Sequence, residues 1–156
     1  MSDYSKGKIY TIKSDENDKV YIGSTVQTLS ERLSDHKSDY KALIDGRGRY
    51  ISSFEIVQFE SCTIELLQEY PCDSGDELRK KEGEYIRQYK EKYKENCVNL
   101  LIAGRTKKEY REDNKEAIAE KKKEYQEANK ETISEYNKEY REDNKEAIAE
   151  KKKEYY

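Results

Sequence analysis

The sequence predicts an α+β head with a small three-stranded antiparallel sheet flanked by helices, followed by a long charged C-terminal helix. Three observations carry that expectation. Two β-branched and aromatic runs flank a turn-forming segment near the N-terminus. Two helix-capping signatures precede apolar stripes at steps of three and four. The last third of the chain is a repeat that lacks glycine and proline. Composition separates the two parts. Across 156 residues, 42 % are charged and 33 % hydrophobic, with net charge −3, whereas globular domains are nearer half apolar and a quarter charged. After Arg105 the large aliphatics are Ile118, Ile133 and Ile148 alone. Residues 1–105 are therefore expected to form one small domain, and residues 106–156 a Lys/Glu-rich helical repeat tail.

Within the head, Lys8–Lys13 and Lys19–Gly23 read as paired strands, with Ser14-Asp15-Glu16-Asn17-Asp18 supplying the turn. A turn centred near residues 15 and 16 makes Tyr10 and Tyr21 cross-strand neighbours on one face. Thr28-Leu29-Ser30-Glu31 has the form of a capping box. The helix it opens carries Leu29, Leu33, His36, Tyr40, Leu43 and Ile44 as its stripe and ends at Asp45-Gly46. Gly46-Arg47-Gly48-Arg49 then forms a basic loop. Residues 51–59 are apolar and fit a short helix or a strand. Cys62–Gln68 is a clearer strand, closed by Tyr70-Pro71. Ser74-Gly75-Asp76-Glu77 is a second capping box, opening a helix with Leu78, Glu82, Tyr85, Ile86 and Tyr89 on one face. Cys97–Ile102 is a short closing segment before Gly104.

In the tail, residues 108–125 recur identically at 138–155 around a degenerate copy, a 15-residue period marked by Tyr110, Tyr125, Tyr140 and Tyr155. Thr106 with Glu109 forms a third capping signature. As one helix, residues 108–155 would span about 72 Å, at roughly 1.5 Å per residue. The Tyr and Ile spacing averages about 3.75 residues per turn, which favours a right-handed supercoil if the stripe packs. A solvated charged helix, a self-associating coiled-coil helix and a disordered segment are the three readings of this pattern.

Several function classes are excluded. No apolar run approaches a membrane span, and MSDYSKGK carries no signal-peptide core. Cys62, Cys72 and Cys97 are too few and too widely spaced for a disulfide scaffold, which points to a reducing compartment. A soluble intracellular protein of cytoplasm or nucleus, or of viral or phage origin, is the expectation. One histidine and no CxxC pair leave no Cys/His zinc finger. The head holds 17 basic and 19 acidic residues and the tail 14 and 15, so contact with DNA must rest on local basic clusters.

Two polar residues stand where the stripes call for apolar ones. Glu82 lies between Leu78 and Ile86, and a carboxylate facing a core costs several kcal/mol unless paired, hydrogen-bonded or metal-bound. His36 lies on the first helix's stripe, with Arg32 one turn before it. Together with Tyr10 and Tyr21 they form a Tyr/Tyr/Arg/His/Glu set drawn from three elements. The structural alternative is packing tyrosines, a satisfied half-core histidine and a Glu82–Arg32 ion pair.

Lys8-Ile9-Tyr10, Val20-Tyr21-Ile22-Gly23-Ser24-Thr25, Arg32 with His36, Glu82-Gly83-Glu84-Tyr85-Ile86 and Asn99 together resemble the GIY-YIG nuclease domain. The likeness spans residues 7–102. One departure is that Lys8 stands where the first motif has glycine, with Gly7 one position earlier. The resemblance implies a metal-dependent DNA endonuclease that hydrolyses a phosphodiester bond with one divalent ion, Mg²⁺ or Mn²⁺. By the same resemblance, Glu82 would hold the metal and Tyr10 would be the general base. Arg32 would neutralise phosphate charge. Tyr21 would position water or phosphate, His36 would assist proton transfer or orient Tyr10, and Gly23 and Asn99 would be structural.

Arg47 and Arg49, Arg79, Lys80 and Lys81, and Arg87 with Lys90, Lys92 and Lys94 are the candidate DNA-contacting clusters; ordinary solvated surface is their alternative. The tail offers weak DNA tracking, tethering or self-association. The rival function is a catalytically idle DNA-binding or interaction protein that recruits a partner through the tail.

Overall fold

The computed structural model describes residues 3–145 of the chain. Ile148, Lys151–Lys153 and Tyr155 of the last repeat lie outside the described residues. The chain divides into two units, Met1–Thr106 and Lys107–Tyr156.

The first unit is an α+β domain around a three-stranded antiparallel sheet. Strand β1 (Lys8–Ser14) is central, between β2 (Asn17–Thr25) and β3 (Thr63–Glu69). Helix α1 (Leu29–Ile44), the single turn α2 (Phe54–Val57) and helix α3 (Gly75–Tyr93) complete it. Residues 51–59, undecided between helix and strand from sequence, thus contain a helical turn.

Alternation along β1 supplies both faces of the sheet. Tyr10 and Ile12 pack with Phe54, Ile56, Val57, Cys62 and Val98, and with Leu29, Leu33, Tyr40 and Leu43 of α1. Ile9 packs with Ile22, Leu78 and Ile86, covered by Tyr85 and Tyr89 of α3. Burial of these side chains is the main force holding the helices to the sheet, each fully buried one contributing about 1.5–3 kcal/mol. Ile44 departs from the α1 stripe: it is exposed, in the turn where the helix unwinds into Asp45 and Gly46.

Helix ends follow local chemistry. Thr28 accepts from the Glu31 N–H while the Glu31 carboxylate takes the Thr28 N–H at 3.0 Å, closing a full capping box. Ser74 likewise accepts from the Glu77 N–H at 3.3 Å. Glu77 reaches back one residue further, to the Asp73 N–H at 3.2 Å, so the second box is only half formed.

The hairpin differs from the straight ladder. Ser14 pairs with Asn17, but Ile12 pairs with Tyr21 and Tyr10 with Gly23. Between those pairs β1 contributes Lys13 alone and β2 contributes Asp18, Lys19 and Val20. The irregularity moves β2 by two residues, so Tyr10 and Tyr21 share a face without standing directly opposite. The shifted first-motif glycine also has a place. A Cβ on Gly7 would lie 2.2 Å from the Tyr70 carbonyl oxygen, so the close approach of β1 to β3 falls at Gly7 and leaves Lys8 free to carry a side chain.

The closing segment joins the sheet through Asn99 rather than as a fourth strand. A parallel bridge links Val20 and Cys97, and the Asn99 amide takes both the N–H (2.9 Å) and the C=O (2.8 Å) of Ile22. Leu100 and Leu101 beyond it are exposed, whereas Ile102 packs partly buried against the Ile9 and Ile22 cluster, so the apolar run read from sequence is interrupted in the middle.

The second unit is helical, yet it is not one rod. Among the described residues its helices are α4 (Lys107–Asp113), α5 (Lys115–Ala128) and α6 (Lys130–Asp143), divided at Asn114 and Asn129. Asn114, Asn129 and Asn144 share one device: the side-chain amide donates to the carbonyl of Tyr110, Tyr125 or Tyr140 at 2.8, 2.8 and 2.9 Å. The asparagine amide adds a second donor to a carbonyl that the same residue's backbone N–H already bonds. Tyr125, Tyr136 and Tyr140 are exposed.

Candidate active site

Tyr10 is the centre of the candidate site. It is fully buried on β1, and its hydroxyl shares a 2.8 Å hydrogen bond with His36 Nε2. Arg32 Nε–H donates to the same oxygen at 3.1 Å. Arg32 and His36 are one turn apart on α1, so a single helix face delivers both groups. Behind the imidazole, Ser53 Oγ lies 3.0 Å from His36 Nδ1. The Tyr21 ring meets the His36 ring edge-on with centroids 5.5 Å apart.

Glu82 arrives from the other side of the sheet. Its Oε2 accepts from Ser24 Oγ at 2.6 Å. Ser24 adjoins Gly23, which lies against Tyr10 on β2, an edge strand. The carboxylate is thus tied to the residue beside Gly23, and its charge acts on the Tyr10 phenol. Glu82 and Arg32 form no ion pair among the described residues: Arg32 bonds Tyr10 and Glu82 bonds Ser24.

Electrostatics tie these groups together. Burial pushes the Tyr10 phenol up to about 12, opposed by the charge and hydrogen bond of Arg32 and reinforced by the Glu82 and Asp35 carboxylates. Burial also raises Tyr21, helped by Tyr10 and Glu82. For His36, burial and the Arg32 charge lower the imidazole to about 4, so it is neutral at pH 7. Burial raises the Glu82 carboxyl, against the Ser24 hydrogen bond and the charges of Arg32 and Arg79. Arg32 is pulled down by burial, but Tyr10, Tyr21 and Asp35 outweigh that and leave it raised.

A divalent cation suits this balance. No group of three or more His, Cys, Asp or Glu side chains is assembled among the described residues. A closed zinc-type cage is therefore absent from that part of the chain. Glu82 offers one half-buried carboxylate whose Oε1 has no hydrogen-bond partner among the described residues. Mg²⁺ is commonly held this way, by one or two carboxylates with water and substrate phosphate completing the shell. A cation beside Glu82 would also offset the burial that raises both the carboxyl and the Tyr10 phenol.

The candidate DNA-contacting residues are not gathered at Tyr10. Arg47 pairs with Asp45 at 2.8 Å, Arg79 with Asp76 at 2.5 Å, and Lys81 with Glu84 at 2.8 Å. Arg49 and Lys80 are exposed. Of this group, Arg79 reaches the site electrostatically, through Glu82.

Ser24 and Ser53 escape sequence reading. A single hydroxyl residue carries no periodic signal. Ser53's position before Phe54 in an apolar stretch was the available hint, since a fully buried serine needs a partner.

A family model described as the GIY-YIG catalytic domain matches residues 6–96. An uncharacterised protein, 019R, of Invertebrate iridescent virus 6 is 37 % identical over 87 residues. That match covers 53 % of this chain and 29 % of the viral protein, so the chain spans under a third of its relative's length. Among solved structures, a mutant of the catalytic domain of intron endonuclease I-TevI matches at 26 % identity and TM-score 0.45, over 63 % of this chain and 96 % of that one. The catalytic domain of homing endonuclease I-TevI matches at 26 % identity and TM-score 0.44, over 62 % and 99 %.

Proposed function

The chain belongs to the GIY-YIG catalytic-domain family, and on that premise we propose that it is a metal-dependent DNA endonuclease that hydrolyses a phosphodiester bond. The observation that carries this reading is the Arg32–Tyr10–His36 hydrogen-bonded group, with Glu82 bonded to Ser24, the neighbour of the Gly23 that pairs with Tyr10.

Tyr10, as its phenolate, would take a proton from an attacking water, a form that the Arg32 hydrogen bond favours. Arg32 serves twice. Its charge opposes the rise of the Tyr10 pKa, and its guanidinium is the nearby fixed cation for a phosphate gaining negative charge. His36, neutral and buried, holds Tyr10 in place through the bond at Nε2. Tyr21 walls the other side of the imidazole and orients water or phosphate. Glu82 would hold one Mg²⁺ or Mn²⁺, which supplies Lewis-acid polarisation of a phosphate oxygen when bound. DNA is the substrate class that fits the family, with the paired surface cations available to exchange their carboxylate partners for phosphates.

Nicking of supercoiled plasmid by the full chain tests the reading, in Mg²⁺, in Mn²⁺ and in excess EDTA. Nicking with metal, its loss in EDTA and its loss in Glu82→Gln are expected. Undiminished nicking by a folded Glu82→Gln chain would overturn the metal assignment. A wild-type chain without nicking under any of these ions would favour the idle binding protein.

A further inference from the structure

Resting on the nuclease reading above, we propose that Ser53 is a positioning residue that fixes the tautomer of His36. In this arrangement the serine hydroxyl donates to Nδ1, and the single imidazole proton stays on Nε2, facing the Tyr10 oxygen. Three observations support it. Ser53, His36 and Tyr10 lie in one buried row, with 3.0 Å from Ser53 Oγ to Nδ1 and 2.8 Å from Nε2 to the Tyr10 oxygen. Among the described residues, His36 Nδ1 is the side-chain partner of the Ser53 hydroxyl. Arg32 Nε–H already donates to the Tyr10 oxygen, which therefore has an acceptor role before His36 is counted.

Proton counting gives the row its direction. With a neutral imidazole, the serine, histidine and tyrosine carry three exchangeable protons but share only two hydrogen bonds. One proton is in excess. While the phenol is neutral, one buried donor is unmade in either direction, at about 1–3 kcal/mol; if the row runs from Tyr10 to Ser53, that donor is the serine's. If it runs from Ser53 to Tyr10, the surplus proton is the phenol's, the one a general base must give up. Ionised Tyr10 would then accept from both His36 Nε2–H and Arg32 Nε–H, with every remaining proton in a hydrogen bond. No bond is made or broken at Ser53. Around this row the charged and titratable groups are Arg32 and Asp35 on α1, Tyr21 on β2 and Glu82 on α3.

The chain has one histidine, so ¹⁵N-imidazole NMR of the full chain reads the tautomer directly, without metal or DNA. The proposal expects the proton on Nε2 in the wild type at neutral pH. It expects a redistribution toward Nδ1 in Ser53→Ala and restoration in Ser53→Thr. A wild-type ring protonated on Nδ1 overturns it, and this measurement needs no variant to fold. In plasmid nicking, Ser53→Ala should lose about tenfold in kcat with KM unchanged, the scale of one hydrogen bond to a charged group. Wild-type kcat in a folded Ser53→Ala chain with an altered tautomer would also overturn the positioning role. A wild-type chain that does not cut would sink the nuclease reading alone, since the ring nitrogens report independently of cleavage.

Discussion

A methyl group on Gly23 would stand 2.4 Å from the Tyr10 hydroxyl oxygen and 2.5 Å from the ring carbon that bears it. The phenol therefore lies directly on the bare backbone of β2. That contact exists because two extra residues in β2 bring Gly23, rather than Tyr21, opposite Tyr10. Gly23→Ala must displace a ring whose oxygen is held by both Arg32 and His36. The expected destabilisation is about 1–3 kcal/mol, the usual cost of overpacking a filled core. Nicking by the folded protein should fall as well. Urea unfolding gives the first quantity and plasmid nicking the second; a variant matching the wild type in both would show that the phenol can move aside freely.

His36 makes stability depend on pH in a defined window. Its pKa falls from 6.5 in the unfolded chain to about 4 in the fold. The unfolded chain therefore binds the extra proton first as pH drops. Stability is fully present above 6.5, decreases as pH falls from 6.5 toward 4, and is not lowered further by this group below that. Between pH 7.5 and 5.5 the loss should be about 1 kcal/mol. Urea midpoints at those two pH values measure it, with His36→Gln as the reference. Equal pH dependence in the two proteins would mean that the imidazole is not protected from protonation.

Asn99 replaces a strand-to-strand ladder by one amide clasped to the N–H and C=O of Ile22. Removing it leaves two strand groups without partners in a buried place. Asn99→Ala should therefore cost about 2–4 kcal/mol. The loss should appear as faster hydrogen exchange at the Ile22 and Val98 amides, the latter bonded to the Val20 carbonyl at 3.0 Å. Unchanged protection at both amides would assign the closing segment's attachment to the apolar packing of Val98 instead.

What could be read from sequence follows from what repeats or has a fixed local form. The Thr28 cap, the β-branched runs of the hairpin and the stripes of α1 and α3 are short-range patterns. A polar residue interrupting such a stripe, as His36 and Glu82 do, is visible for the same reason. The register at Tyr10 was not readable, because an irregularity at residues 18–20 leaves no mark in composition. Ser53 and Ser24 act through one long-range contact each, and their identity alone does not announce it. In the tail, good helix formers and the absence of glycine and proline suggested a continuous rod. The dividing asparagines are individually weak breakers whose effect depends on their own side chains reaching back four residues.

The tail offers a direct test of that last point. At Asn129 the backbone ladder persists on both sides: its own N–H bonds to the Tyr125 carbonyl at 3.1 Å, and the Ile133 N–H bonds to the Asn129 carbonyl at 2.9 Å. The side-chain amide adds a second donor to the Tyr125 carbonyl at 2.8 Å. Two donors on one carbonyl tilt the peptide there, and the backbone at Asn129 leaves helical values, with φ −112° and ψ 18°. Alanine cannot make the competing bond and is the better helix former by roughly 0.5–0.7 kcal/mol. Asn129→Ala should thus join α5 and α6 into one helix, raising the circular-dichroism signal at 222 nm and slowing amide exchange at Lys130 and Glu131. Because Asn129 lies in the second unit, nicking per folded molecule should stay the same. If helicity and exchange are unchanged, the division is set by the surrounding Ala128-Asn129-Lys130 backbone and not by the asparagine amide.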